Sequence, residues 1–103
     1  MDQEVINNDA VVVAPHLHKV IFENDKVRVL DVEVKPNDTA EMHAHPDNVI
    51  TVIQGGTLSM TGKDGTTKEV TLETGATFFS AANEHAVSNN SSEMVKVIQV
   101  ELK

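Results

Sequence analysis

Short runs rich in Val, Ile, Thr and Phe are cut every few residues by turn-forming chemistry, and this punctuation constrains the fold of the chain more than any other feature. Asn24-Asp25 and Pro36-Asn37-Asp38 favour turns, Gly55-Gly56 supplies unrestricted φ, and Asp64-Gly65 meets the positive-φ demand of a tight hairpin. Between these marks the sequence predicts strands over residues 17–22, 26–34, 41–45, 48–54, 57–61, 66–72, 77–81, 85–89 and 94–102. Leu58, Met60, Val70 and Leu72 alternate with polar residues on either side of Asp64-Gly65, as an antiparallel pair with one buried face requires. No segment carries a capped, sustained helical period, although a short N-terminal turn is compatible with the sequence. Such a pattern describes an all-β sandwich or barrel.

Length limits this to one domain, since 103 residues supply one core and not two. Val, Ile, Leu and Ala dominate that core, with three Phe and no Trp or Tyr, a composition that suits a pleated surface. Residues 1–14 are expected to form a loose N-terminal segment and residues 15–103 the barrel. Two runs, Val49 to Ile53 and the last strand, are apolar on both faces, so something outside the barrel interior must cover the second face. A second sheet would do so, as would a twofold partner, and a homodimer is the expected state.

Sixteen acidic residues against eight basic ones give a formal charge of −8, which argues against nucleic acid or an anionic membrane as partner. The start of the chain has no basic region before a long apolar stretch, and no apolar run approaches the ~18 residues that would span a bilayer, so the expected location is cytoplasmic. Cysteine is absent, which removes disulfides, thiolate ligands and a Cys nucleophile. No G-x-S-x-G turn or phosphate-cradling glycine loop is present either. Any metal must then be held by His, carboxylate or amide side chains.

His43 and His45 are two residues apart on an expected strand, which places both imidazoles on one face. They can converge on one ion, yet solvated or hydrogen-bonded histidines explain an isolated pair equally well, and His16 and His18 form the same pattern. Glu41, on the same strand, is a candidate base near the site mouth or a partner to a histidine, with a solvated edge carboxylate as the alternative.

The wider pattern resembles the two motifs of the cupin family. The first reads PNDTAEMHAHPDNVITVIQGG over residues 36–56 and the second GATFFSAANEHAVSN over residues 75–89, where His85 and Asn89 keep the family spacing. The resemblance implies a double-stranded β-helix, or jelly-roll, barrel. It also implies one divalent transition metal held by His43, His45 and His85. Asn48 stands where the family commonly has a ligating Glu, so it is expected near the ion or weakly bound to it. Losing that carboxylate leaves a more electrophilic ion with open positions. Three nitrogens suit Fe(II), the first choice here, and also Ni, Zn, Mn or Cu. Three-histidine cupins that resemble this arrangement include oxygen-using enzymes, so the expectation is a dioxygenase-like enzyme acting on a small polar organic substrate. A non-catalytic ligand-binding module and a metal-assisted isomerase, lyase or decarboxylase are the alternatives. His16 and His18 receive no chemical role.

Overall fold

The computed structural model of the protein describes residues 8–103. Its strands are β1 (His18–Glu23), β2 (Val27–Val34), β3 (Thr39–His45), β4 (Asn48–Gln54), β5 (Gly56–Gly62), β6 (Thr67–Leu72), β7 (Thr77–Ser80), β8 (Asn83–Ser88) and β9 (Val95–Leu102), preceded by the single helical turn α1 (Ala10–Val13). Every strand expected from the sequence is present, its ends displaced by no more than a residue or two. A five-stranded sheet ordered β1-β2-β9-β4-β7 faces a four-stranded sheet ordered β3-β8-β5-β6, all pairs antiparallel. This is the jelly-roll arrangement. Positive φ falls where the turn chemistry placed it, at Asn37 (72°) and at Gly65 (86°) in the β5–β6 hairpin.

Alternation along each strand fills the space between the sheets. Leu30, Val32 and Val34 of β2, Val52 of β4, Leu58 of β5, Val87 of β8 and Val95 and Val97 of β9 form one buried cluster. Each such side chain contributes about 1.5–3 kcal/mol by leaving water. At the far end of β8, Asn89 is wholly buried; its Nδ2 donates to the carbonyls of Val34 and Glu93 and its Oδ1 accepts from the Ser91 amide, which pins the turn into β9.

Two bulges change which residues face inward. In β1, Ile21 is an extra residue between the pairs Val20↔Leu30 and Phe22↔Val29, so His18 lies opposite the inward-facing Val32. In β3 the register shifts between Ala40↔Val87 and His43↔His85, so Ala40, His43 and His45 are all buried while Glu41 is exposed.

Residues 1–7 of the expected loose segment lie outside the described residues. Residues 8–14 are fastened down. Asp9 caps α1 by accepting from the Val11 amide, the Ala44 amide donates to the Asn8 carbonyl at 2.6 Å, and Ala10 and Ala14 are fully buried. No helix among the described residues is long and apolar enough to cross a membrane.

The outer face of the five-stranded sheet is apolar across its whole width. Phe22, Val29, Val100, Val49 and Phe79 are successive cross-strand neighbours, and the two phenylalanines at the ends are 54% and 59% exposed.

Candidate metal centre

Four histidines from three strands meet at one end of the barrel interior. His18 opens β1, His43 and His45 close β3, and His85 lies on β8 directly opposite His43. The ring centroids of His43 stand 5.1 Å from His18, 5.0 Å from His45 and 4.8 Å from His85, and His45 is 5.3 Å from both His18 and His85. One ring nitrogen from each of His18, His43 and His45 lies within 4.8 Å of the other two.

Three of the rings are oriented by the same device. His18 Nδ1–H donates to the Ala14 carbonyl at 3.0 Å, His43 Nδ1–H to the Glu41 carbonyl at 2.6 Å, and His45 Nδ1–H to Glu101 Oε2 at 2.7 Å. Each partner is only an acceptor, so in the neutral ring the proton stays on Nδ1 and the lone pair is on Nε2. The Nε2 of His43 is buried without any hydrogen-bond partner among the described residues. An orphaned imidazole nitrogen of this kind costs free energy unless something binds it. Burial, first of all, pushes His18 down to about 4; it does the same to His85, to about 3, with help from the neighbouring histidines, and it lowers His43. Neutral, inward-facing nitrogens are the form that a divalent transition ion requires, so these residues fit such an ion.

A chain of charge that runs from the buried Glu101 to the partly buried Arg28 and Asp9 supports His45. Glu101, 2% exposed, accepts from His45 at one oxygen and from Arg28 Nε at the other, and Arg28 also donates to Asp9 at 2.9 Å. Burial would raise the Glu101 carboxyl, but the hydrogen bonds from His45 and Arg28 outweigh it and hold the group below its ordinary value.

His85 stands beside His43 and His45, its ring centroid 4.8 Å from the first and 5.3 Å from the second, while those two converge most closely with His18, which has no role in the sequence reading. His16, its partner in the other alternate pair, is exposed and bonds the Thr39 carbonyl. Glu41 contributes its backbone carbonyl to the His43 ring, while its side chain stands on the exposed side of the bulge. Asn48 is buried but engaged elsewhere: its Nδ2 donates to the Pro46 carbonyl at 2.8 Å and its Oδ1 accepts from Gln99 Nε2 at 3.1 Å. The sequence reading also assigns no role to Glu101 and Gln99, two polar residues that share a strand face with Val95 and Val97, and that break in an apolar face is the signal for them.

The histidines open onto a cavity of about 300 Å³ between the sheets. Its walls are mostly aliphatic, including Val34, Ile50, Leu58, Leu72 and Val97, with Phe78 beside them. Among the described residues no Lys, Arg, Asp or Glu lines it, and the four imidazoles are the ionisable side chains there. Ser80, Asn83 and Gln99 are the uncharged polar residues among the described lining.

Comparison with known proteins agrees with this architecture. A cupin domain from Bordetella pertussis superposes with a TM-score of 0.78 at 24% identity, covering 84% of this chain and 92% of that one. A cupin-2 domain containing protein from Shewanella frigidimarina gives 0.56 at 25% identity over 84% and 79%. A polyketide cyclase from Streptomyces resistomycificus gives 0.64 at 20% identity over 99% of this chain and 79% of its own, a likeness of fold alone. No curated protein matches in sequence. The family model of the cupin domain matches residues 30–101, most of the chain and both histidine motifs, and the protein belongs to the cupin family.

Proposed function

We propose that the protein is a metal-dependent cupin, dioxygenase-like in its chemistry, that binds one divalent transition metal at His43, His45 and His85 with His18 beside them. The buried, unpartnered Nε2 of His43, among rings whose Nδ1 atoms are tied back, carries this reading. When bound, an ion such as Fe(II) supplies Lewis-acid and redox chemistry that protein side chains lack. The residues of the chain do the rest. Ala14, Glu41 and Glu101 fix the tautomers, and the aliphatic walls exclude water and hold the body of a small organic molecule beside the imidazoles. An isomerase or lyase needs a positioned acid or base, and among the described residues the lining offers no carboxylate or lysine for that purpose. That favours chemistry supplied by the ion. The same absence suits a non-catalytic binding module, and oxygen uptake separates the two.

The test is metal analysis of protein purified without added metal, then reconstitution with Fe(II), Ni(II) and Zn(II) beside His43→Ala and His85→Ala. The wild type is expected to take up about one equivalent and both variants to lose affinity by tenfold or more. Equal uptake by all three proteins, or none by the wild type, defeats the reading.

A homodimer belongs to the same proposal. The apolar row on the outer sheet face reads Phe, Val, Val, Val, Phe across the strands. A row that is the same from either end is complementary to its own copy turned about a twofold axis through Val100, which makes a second copy the fitting cover.

A further inference from the structure

Gln99 is 5% exposed, lies on the inward face of β9 and lines the histidine cavity. Which end of its amide faces that cavity follows from its neighbours. The Pro46 carbonyl can only accept, so the Asn48 nitrogen must be the atom that donates to it, at 2.8 Å, with a longer contact of 3.4 Å to the Ser80 carbonyl. Asn48 then turns Oδ1 towards Gln99, and only the Gln99 nitrogen can satisfy that oxygen, at 3.1 Å. Gln99 Oε1 is left over, and it accepts no hydrogen bond among the described residues. The order of donors and acceptors is thus set by a backbone carbonyl and does not depend on how either amide was oriented.

We infer that Gln99 is a specificity-determining residue, and that the cavity takes an uncharged, largely apolar molecule carrying a hydroxyl group that donates to Gln99 Oε1. This deepens the proposed function and rests on reading the cavity as its substrate site. Apart from an ion held by the imidazoles, the wall supplies, among the described residues, no cation to neutralise an acid and no anion to pair with an amine. In the metal-free cavity a charged ligand would lose its hydration without compensation. An apolar molecule of the right shape is accepted by the aliphatic walls, but it leaves the Gln99 oxygen desolvated and unpaired unless it brings a donor. Asn48, in the place where the family commonly has a carboxylate, becomes the residue that holds Gln99 in this sense.

The experiment measures binding of 2-naphthol, its methyl ether 2-methoxynaphthalene and the acid 2-naphthoate to the metal-free full chain at neutral pH, in wild type and in Gln99→Met. The wild type is expected to prefer the naphthol over the ether by about tenfold, with the naphthoate weaker than the naphthol. In Gln99→Met the preference should fall to about twofold or less, while the ether binds as well as before or better. Hydrogen bonds to histidine nitrogens persist in both proteins, so the difference between them isolates Gln99. Equal binding of naphthol and ether by the wild type, an undiminished preference in Gln99→Met, or naphthoate binding as tight as naphthol overturns the inference. Should Gln99→Met not fold, Asn48→Leu releases the Gln99 amide to turn its nitrogen inward. The acceptor 2-acetylnaphthalene should then gain on the naphthol, and no gain overturns the inference. Because no metal is present, a chain that fails to take up metal yet keeps the preference defeats only the metal reading.

Discussion

Glu101→Gln separates the positioning of His45 from the packing around it. The side chain keeps its volume but loses its charge and one of its two acceptors, while Arg28 Nε and His45 Nδ1–H both still point at it from 2.8 and 2.7 Å. The new amide can accept from one of them and must present its own N–H to the other. Removing one partner of a buried ion pair costs about 3–5 kcal/mol. Arg28 is itself 16% exposed and retains Asp9, so the lower end, about 3 kcal/mol, is the expected loss. For a domain of this size that lowers Tm by roughly 12–24 °C. His45 also loses its tautomer-fixing acceptor, and metal affinity should fall by about 10- to 100-fold. Thermal melts of the metal-free protein and competition titrations with Zn(II) measure the two effects separately. A variant that melts lower but binds Zn(II) as the wild type does would show that Glu101 serves packing alone. One that changes in neither respect would refute the buried relay altogether.

Acid should unfold the metal-free protein early. His18 and His85 are depressed from 6.5 to about 4 and about 3, so between those values the unfolded chain binds more protons than the folded one, and stability is lost as pH drops below 6.5. For His18 the loss approaches ~3 kcal/mol by pH 4, and His18→Gln should flatten that part of the profile in melts taken across the range. The two alternate histidines near the N-terminus should differ sharply in metal titrations: His18→Ala lowers Zn(II) affinity by roughly tenfold or more, whereas His16→Ala leaves it unchanged. Val100→Glu, in the middle of the outer apolar row, should give a monomer by sedimentation where the wild type gives a dimer; a wild-type monomer at high concentration would exclude the twofold pairing.

Period-two alternation and turn chemistry made the strands and the barrel legible in the sequence, because they act over a few residues and leave one face of each strand apolar. Alternation put His43 and His45 on one strand face, whereas His85 was joined to them only by the resemblance to the two cupin motifs. His18 was not. The side chain of Asn24 fixes the β1–β2 turn by accepting from the Lys26 and Val27 amides, and Glu23 then pairs with Arg28 and Phe22 with Val29. Continued without interruption, that pairing would set His18 opposite Glu33, away from the interior. Ile21 adds one residue, the parity reverses, and His18 faces Val32 and the other histidines instead. The bulge in β3 likewise leaves Glu41 outside while His43 points inward.

Local sequence pattern set the number and order of strands and the sites of the turns, and the motif resemblance pointed to three histidines. Only the tertiary structure decided that a fourth histidine joins them, that Asn48 turns to Gln99, and that Glu101, 56 residues along the chain from His45, orients its ring. A one-residue change of register costs almost nothing locally, yet it exchanges the two faces of a strand, and which face wins is settled by packing between the sheets.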